Sequence, residues 1–322
     1  MKTILITGVA GFIGHAIAME LLSKGNTVIG IDNMLGEGEI LLIKENRLAE
    51  LISCPNFILI KQDIANSLWK KELESFDCDF IVHLAAFAGV RKSMQNPIEC
   101  LQSNVIGFTS VLEFARLKGI RRVVYASSSS VYGDINSSLP SSEHTVTNHP
   151  TSIYAASKTS NELLAYVYSH SYGIKTIGLR FFSVYGPYGR PDMAPWIFAD
   201  SIVNQTEAVL FSNGEMRRDF TYIDEVVDAI TKIIATGFHS NYEIYNVGSS
   251  NPHSVLELYN TIQEHLGTTG KYKLIERQSG DVLNTHADMT KFYKDFGSLN
   301  HIDFSEGLKK FCKWFIKYKA TR

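Results

Sequence analysis

The chain has 322 residues, of which 45% are hydrophobic, so it is long enough for one large core with an attached lobe or for two domains. Its 31 basic and 33 acidic residues leave a formal net charge of -2 without a long run of one sign, so we expect no nucleic-acid partner. No apolar run approaches the ~20 residues that span a bilayer, and we therefore expect no membrane insertion.

The cysteines lack the short paired spacing of zinc sites and of secreted disulfide frameworks. They are Cys54, Cys78, Cys100 and Cys312. We therefore expect reduced thiols, a cytoplasmic protein and no metal site. The first apolar run could pass for a signal peptide, but the glycines that soon interrupt it favour a buried first strand.

The first 180 residues alternate short apolar runs with longer amphipathic stretches, which is typical of parallel strands joined by crossover helices. The predicted strands are 3–7, 27–32, 57–61, 80–84, 122–126 and 175–179. The predicted helices are 12–24, 97–118 and 152–172, and each is followed by a glycine at a position where helices commonly end. The pattern predicts an α/β fold with a doubly wound parallel sheet of the Rossmann type.

The rhythm changes after residue 180, where a loop rich in glycine and proline is followed by shorter, mixed elements. We interpret residues 1–180 as a dinucleotide-binding domain and residues 181–322 mainly as a smaller α/β substrate-binding lobe. Segments near 221–248, which include a helix-like stretch at 224–236 and a strand-like stretch at 242–247, are expected to return to the first domain.

A glycine-rich loop follows the first predicted strand and opens the first predicted helix, as a dinucleotide-binding loop requires. Gly8, Gly11 and Gly14 permit a tight turn, a close approach of backbone amides to a pyrophosphate, and close packing of helix on strand. The alternative is that these glycines serve only a tight turn.

Asp32 ends the second strand about 20 residues after the loop, where a carboxylate can accept hydrogen bonds from an adenosine ribose. Because a carboxylate would repel a 2′-phosphate, NAD is favoured over NADP, although Asp32 could also be an ordinary turn residue. Asp63 with Ile64, and the stretch 84–86, fall at carboxyl ends of strands, where ligands of such folds bind. Both could equally be ordinary loop residues.

Tyr154 and Lys158 are four residues apart in a predicted helix, so their side chains project from the same face. An ammonium near a phenol favours the phenolate, which predicts that Lys158 lowers the pKa of Tyr154 and makes it a usable base near neutrality. Such a pair also occurs by chance on solvated helices. It is stronger evidence behind a glycine loop and the serine-rich segment 126–133.

These motifs, in this order and at these spacings, resemble the extended short-chain dehydrogenase/reductase family over nearly the whole chain. Within that family, segments 126–133, 179–194 and 216–224 are most similar to the UDP-glucuronate 4-epimerases. The resemblance implies a UDP-sugar substrate and hydride transfer from sugar carbon 4 to NAD. In this scheme Tyr154 takes the hydroxyl proton, Lys158 orients the nicotinamide ribose, and Ser128 is the third catalytic residue.

The resemblance also implies ligand contacts. The cofactor-binding residues would be Gly8, Gly11, Phe12, Ile13, Gly14, Asp32, Asn33, Asp63, Ile64, Leu84, Ala85, Ala86, Asn104, Tyr154 and Lys158. The substrate-binding residues would be Ser128, Ser129, Ser130, Ser183, Arg190, Arg218 and Asp281. Arg218 would bind the diphosphate, since a guanidinium offers several donors in one plane, although it could be a solvated surface arginine.

Related reactions share a 4-keto sugar, and the serine segment distinguishes them. A 4,6-dehydratase would carry an Asp-Glu pair at Ser129 and Ser130, and a UDP-glucuronate decarboxylase a glutamate at Ser130. We hypothesise that Ser128, Ser129, Ser130 and Ser183 hold the sugar carboxylate near the ring plane and so prevent loss of carbon dioxide.

Other functions stay open at this point. A 4-epimerase of UDP-glucose or UDP-N-acetylglucosamine would use the same redox residues, and a decarboxylase or a non-catalytic NAD-sensing protein is a further alternative. Phe87 stands where glutamine is usual in the epimerases, which leaves local sugar contacts in doubt. Family members commonly pair through two long helices, so the resemblance implies a homodimer through 97–118 and 152–172.

Overall fold

The computed structural model describes residues 1–134, 139–276 and 283–321. Within these residues the strands are β1 (Thr3–Thr7), β2 (Thr27–Ile31), β3 (Phe57–Ile60), β4 (Phe80–His83), β5 (Arg122–Ser128), β6 (Lys175–Phe181), β7 (Ser183–Tyr185), β8 (Glu207–Leu210), β9 (Arg217–Tyr222), β10 (Tyr242–Val247), β11 (Pro252–Ser254) and β12 (Lys271–Leu274). The α-helices are α1 (Phe12–Ser23), α2 (Gly38–Ile52), α3 (Leu68–Glu72), α4 (Val90–Gln95), α5 (Pro97–Leu101), α6 (Gly107–Lys118), α7 (Ile153–Tyr172), α8 (Ala194–Val203), α9 (Ile223–Thr236), α10 (Val255–Leu266), α11 (Thr290–Phe296) and α12 (Phe304–Ala320).

Seven strands form a parallel sheet in the order β10-β6-β5-β4-β1-β2-β3. The chain therefore starts in the middle of the sheet, runs to one edge and then returns to build the other, which is a doubly wound arrangement. β10 pairs with β6 at the outer edge, so the segment 242–247 belongs to this sheet. Two smaller sheets, β11-β9-β7 and β12-β8, lie outside it.

Alternate residues of each central strand pack into different cores, because successive side chains of a strand point to opposite faces. Ile4 and Ile6 belong to the core that includes α1, α9 and α11, whereas Leu5 belongs to the core that includes α6 and α7. A third core joins α8, α10 and α12 of the lobe. The sheet is thus covered on both faces, as its continuous apolar strands require.

The predicted strands and helices lie within two residues of the observed ones, and the α/β fold with a doubly wound sheet is confirmed. Two features differ. The predicted helix 97–118 contains a π-helical turn at Gln102–Ile106 between α5 and α6. Helix α2 was not predicted, because its buried positions are Ile43, Arg47 and Leu51, and the charged one interrupts an already short apolar pattern. No helix in the described part of the chain is long and apolar enough to cross a membrane.

Candidate active site

The glycine loop between β1 and α1 leaves no room for side chains at its glycine positions. Gly8 has φ +73, and its amide donates to the carbonyl of Ile31 at 2.7 Å. A Cβ atom on Gly8 would lie 2.6 Å from the backbone nitrogen of Ala85, and one on Gly14 would collide with the carbonyl oxygen of Gly8. Helix α1 begins after Gly11, with no side-chain cap and no acidic residue in its first turn. The loop therefore leaves helix-terminal amides available to an anion such as a pyrophosphate.

Asp32 and Asp63 follow the neighbouring strands β2 and β3. The Asp32 carboxylate is buried and accepts hydrogen bonds from the amides of Ala10 at 3.1 Å and Met34 at 2.9 Å, and from Lys44 Nζ at 3.0 Å. Asn33 Nδ2 donates to Asp63 Oδ2 at 2.9 Å. The structure thus brings the strand-end residues 32, 33 and 63 to one edge beside the glycine loop, where they fit a dinucleotide.

The end of β4 packs directly against β1. The Leu84 amide donates to the Thr7 carbonyl at 3.0 Å, and Thr7 Oγ1 is 2.8 Å from Nδ1 of the fully buried His83. Burial, together with the charge of Lys158, lowers the pKa of His83 to about 3, so this imidazole is neutral near pH 7.

The next loop is held by the buried side chain of Asn104, which lies in the π-helical turn. Its Oδ1 accepts from the Phe87 amide at 2.7 Å, and its Nδ2 donates to Ser157 Oγ at 2.9 Å. Asn104 therefore ties the loop after β4 to α7, and Phe87 is fixed through its backbone. Ala85 and Ala86 precede Phe87 in this loop and lie partly exposed.

Helix α7 presents Tyr154 and Lys158 from its first turns. Ser152 caps the helix by accepting from the Ala155 amide at 3.1 Å, and the Tyr154 amide donates to Ser93 Oγ at 3.0 Å. The buried Lys158 Nζ donates to the Ala126 carbonyl at 2.9 Å and lies 5.8 Å from the centroid of the Tyr154 ring. The two side chains are neighbours, as the spacing predicted, but the ammonium faces the backbone of β5.

The expectation that Lys158 lowers the pKa of Tyr154 is wrong for this arrangement. Burial raises the pKa of Tyr154, while a hydrogen bond with Ser128 and the positive charge of Arg190 act to lower it. Lys158 donates to the Ala126 carbonyl, and burial lowers its own pKa to about 8, below the raised pKa of Tyr154, so this lysine is neutral at the pH where the phenol ionises. The groups that favour the Tyr154 phenolate are Ser128 and Arg190.

The serine segment ends β5 and turns toward the site. Ser128 Oγ accepts from the Ser130 amide at 3.1 Å, which caps the short 3-10 turn Ser129–Tyr132. Ser129 and Ser130 lie partly exposed, and Ser183 begins β7 at the far end of β6. The Ser128 side chain also acts to lower the pKa of Tyr154.

The predicted arginines lie on two different elements. Arg190 forms a bidentate ion pair with Asp192 at 2.9 and 2.6 Å. Arg218, in β9, donates to the carbonyls of Arg217 at 3.0 Å and Leu283 at 3.1 Å. Arg190 acts on Tyr154, whereas Arg218 is tied to the segment that follows residue 282. Asp281 lies outside the described residues.

Sequence reasoning missed Lys44 and Arg47, which reach Asp32 and the glycine loop, respectively, from the unpredicted helix α2. Their position three residues apart, with Glu50 three residues further, is the pattern that could have identified one functional helix face. Among the described residues, no group of three or more His, Cys, Asp and Glu side chains is arranged to hold a metal ion.

Comparison with known proteins agrees with this geometry. An uncharacterized protein of Methanocaldococcus jannaschii is 46% identical over 99% of this chain and 97% of its own length. UDP-glucuronate 4-epimerase 6 of Arabidopsis thaliana is 37% identical over 98% of this chain and 72% of its own length.

Solved structures are similar over the whole fold. A UDP-glucuronic acid 4-epimerase from Bacillus cereus, in complex with UDP-glucuronic acid and NAD, has a TM-score of 0.90 and 29% identity, over 98% of this chain and 99% of that one. A UDP-glucose 4-epimerase from Thermotoga maritima, with UDP-glucose, has a TM-score of 0.89 and 28% identity over the same shares. The model of the NAD dependent epimerase/dehydratase family matches residues 4–248, and the chain belongs to this family.

Proposed function

We propose that this chain, an NAD-dependent nucleotide-sugar 4-epimerase, inverts the carbon-4 hydroxyl of UDP-glucuronate and yields UDP-galacturonate through a transient 4-keto sugar. The observation that carries the proposal is the pairing of Tyr154 with the buried Lys158, whose Nζ lies 5.8 Å from the centroid of the phenol ring, in a chain whose glycine loop fits a dinucleotide. When bound, NAD would supply the hydride chemistry at carbon 4.

The chain's own residues move the proton and hold the ligands. Tyr154 accepts the proton of the carbon-4 hydroxyl as the keto sugar forms. After the sugar has turned and the hydride has returned to the opposite face of carbon 4, Tyr154 gives the proton back to the carbon-4 oxygen. Ser128 donates to the phenolate and stabilises it. Gly8, Gly14 and Asp32 would hold the pyrophosphate and adenosine ribose, and the buried Lys158 would orient the nicotinamide ribose.

We assign to the serines the binding of the sugar carboxylate. A 4-keto glucuronate is a β-keto acid, which loses carbon dioxide when the bond to its carboxylate aligns with the carbonyl π system. Hydroxyls of Ser128, Ser129, Ser130 and Ser183 would keep the carboxylate near the ring plane. Since positions 129 and 130 carry no acid, the chain lacks the groups of a 4,6-dehydratase and the glutamate of a decarboxylase.

The second candidate is a 4-epimerase of UDP-glucose or UDP-N-acetylglucosamine. It is supported by the structural similarity to the Thermotoga maritima enzyme, which is nearly as high as that to the Bacillus cereus enzyme. The redox residues would be unchanged, so only the substrate separates the two candidates.

The subunit arrangement and ligand division form part of the proposal. Residues 1–180 would bind NAD, and residues 181–322, apart from β10 and α9, would bind most of the UDP-sugar. Helices α5 and α7 carry exposed apolar side chains, such as Ile98, which is 72% exposed, and Leu163, which is 65% exposed. A homodimer would bury them, and we propose such a homodimer for a cytoplasmic protein. A particle of one 36.0 kDa chain in solution would contradict the dimer.

The test is to incubate the purified chain with UDP-glucuronate, UDP-glucose and UDP-N-acetylglucosamine in parallel and to resolve the products by chromatography. We expect UDP-galacturonate from UDP-glucuronate as the fastest conversion. Tyr154→Phe should lower turnover roughly 10²–10⁴-fold, because it removes the proton acceptor. Tyr172→Phe, which changes an exposed tyrosine of the same helix, should retain activity. Mainly UDP-pentose products, or faster conversion of a neutral sugar, would reject the assignment.

A further inference from the structure

Helix α2 directs three charged side chains toward the site from one face. Lys44, Arg47 and Glu50 are spaced three residues apart, so they lie along the same side of the helix. Lys44 binds the Asp32 carboxylate, Arg47 reaches the glycine loop, and Glu50 contacts His15 at 3.1 Å and the Tyr188 hydroxyl. We call these three residues the inner face of α2.

Arg47 joins two loops that are distant in the sequence. Its NH1 donates to the Ala10 carbonyl at 2.9 Å, and its NH2 donates to the carbonyls of Tyr188 at 2.5 Å and Gly189 at 3.2 Å. The side chain is only 2% exposed. Burial and the nearby charge of Arg190 lower its pKa to about 10, so Arg47 is still a cation near neutral pH. Burying a cation is costly unless its hydrogen bonds are satisfied, and here three backbone carbonyls satisfy them. This indicates that the link between the two loops is important for the structure.

The second of these loops, residues 186–190, has an unusual backbone. Gly186 has φ +148 and Tyr188 has φ +61, a left-handed conformation that a tyrosine rarely adopts. The Gly189 amide closes the turn on the Gly186 carbonyl at 3.0 Å. Because Arg47 donates to the carbonyls of Tyr188 and Gly189, it stabilises this turn directly.

The turn ends at Arg190, whose guanidinium is the cation that favours the Tyr154 phenolate. Arg190 NH2 also donates to the Ala88 carbonyl at 3.4 Å, in the loop before α4. Asp192 orients the guanidinium through two hydrogen bonds, at 2.9 and 2.6 Å, while the backbone that carries Arg190 continues directly from residues 186–189.

We propose that Arg47 is a positioning residue, which fixes loop 186–190 to the dinucleotide-binding loop and thereby positions Arg190 for its action on Tyr154. The inference rests on the proposed function, because it assigns Tyr154 as the base. A lysine cannot substitute, since one ammonium cannot span Ala10 on one side and Tyr188 with Gly189 on the other, whereas the planar guanidinium does so with NH1 and NH2.

The kinetic test is a double-mutant cycle with Arg47→Lys, Arg190→Met and both together, and Arg47→Gln as a second substitution of the same residue. We expect Arg47→Lys and Arg47→Gln to lower kcat on the order of tenfold, because the guanidinium of Arg190 is displaced. If Arg47 acts through Arg190, the kcat of the double variant should lie within about threefold of the kcat of Arg190→Met alone. The proposal would be overturned if the fold-losses of kcat in the two single variants multiply fully in the double variant.

The control is Arg121→Lys, which changes an exposed arginine that donates to one carbonyl, that of Tyr172. It should leave kcat unchanged. If the unaltered chain does not epimerise UDP-glucuronate or a neutral UDP-hexose, the proposed function fails, and that outcome differs from multiplicative losses in an active enzyme.

A measurement without any ligand tests the same connection. In hydrogen–deuterium exchange, the amides of Gly189 and Met193, which bond to the carbonyls of Gly186 and Arg190, should exchange faster in both Arg47 variants. The amides of β6 should be unaffected, which shows that the sheet is intact. Unchanged exchange at 189 and 193 in folded variants would contradict the role of Arg47.

Discussion

The two sides of Tyr154 are built in different ways. The core of the proposed dinucleotide side is one continuous segment, β1, the glycine turn and α1, which would bind the pyrophosphate through backbone atoms. The proposed sugar side collects Ser128, Arg190 and Arg218 from three separate elements, and a long buried side chain, Arg47, holds one of its loops. A surface made of backbone depends on the absence of side chains, whereas a surface made of side chains depends on what positions them.

This difference separates the expected effects of substitutions. On the dinucleotide side, an added methyl group should strongly reduce NAD affinity or stability, because the backbone cannot move aside. On the sugar side, a lost hydroxyl should change rate and pH dependence while the fold is kept.

Gly14→Ala is expected to have the largest effect. Its Cβ atom would collide with the Gly8 carbonyl oxygen and lie 3.0 Å from Val9 Cα, and both are backbone atoms of the loop itself. We expect NAD affinity to fall on the order of 100-fold or the chain to lose stability, because α1 must move away from β1. Fluorescence titration with NAD and thermal unfolding measure the two outcomes.

The matched control is Gly25→Ala. Gly25 has φ +76, but an added Cβ would meet no atom within 4 Å. We expect a destabilisation of roughly 1 kcal/mol from the backbone conformation, with NAD affinity unchanged. Equal effects at both glycines would show that the loop is not a tight cradle.

Ser128→Ala is expected to be intermediate and to appear in the pH profile. The Ser128 hydrogen bond acts to lower the pKa of Tyr154, against burial, so its loss raises that pKa further. Because the phenolate is the form that accepts the proton, kcat increases with pH as Tyr154 ionises. In the variant this increase should occur at higher pH than in the unaltered enzyme. Near neutral pH we expect a loss of about tenfold.

Ser160→Ala, which removes a hydroxyl that bonds within α7 to the Ala156 carbonyl, serves as the control and should keep the profile. A profile of Ser128→Ala that superimposes on that of the unaltered enzyme after scaling would exclude the assigned role of the hydroxyl.

The last expected effect concerns stability, rather than activity, on the dinucleotide side. His83 has a pKa lowered to about 3 in the fold, against 6.5 as its ordinary value, so only the unfolded chain binds its proton between these limits. This contribution to stability is complete above pH 6.5 and is lost as the pH falls toward 3, by up to about 1.4 kcal/mol per pH unit. Urea unfolding at pH 7 and pH 5 should show a smaller difference for His83→Gln.

His144→Gln, at an exposed histidine, should keep the pH dependence of the unaltered chain. An equal difference between pH 7 and pH 5 in the unaltered chain and in His83→Gln would mean that His83 is not the responsible group.

The conformation of the glycine loop could be predicted from the sequence because its information is local. A strand, three glycines at fixed spacing and a carboxylate at the next strand end specify the loop without reference to the rest of the fold. The same holds for the neighbouring positions of Tyr154 and Lys158 on one helix.

The sugar side could not be fully predicted, because its electrostatics depend on tertiary contacts. The direction of the Lys158 ammonium is set by the Ala126 carbonyl, 32 residues away, so spacing alone gave the wrong cause for the Tyr154 pKa. Arg47 contacts Tyr188 and Gly189 from a helix that the apolar pattern did not reveal.

The most direct test of the proposed chemistry is epimerisation in D₂O. If the carbon-4 hydrogen leaves and returns as a hydride while Tyr154 moves only the hydroxyl proton, we expect UDP-galacturonate with no deuterium on any carbon. Mass spectrometry after exchange of the hydroxyl positions measures this. Deuterium bound to a sugar carbon would contradict the account, because it would require a carbon-bound proton to pass through solvent.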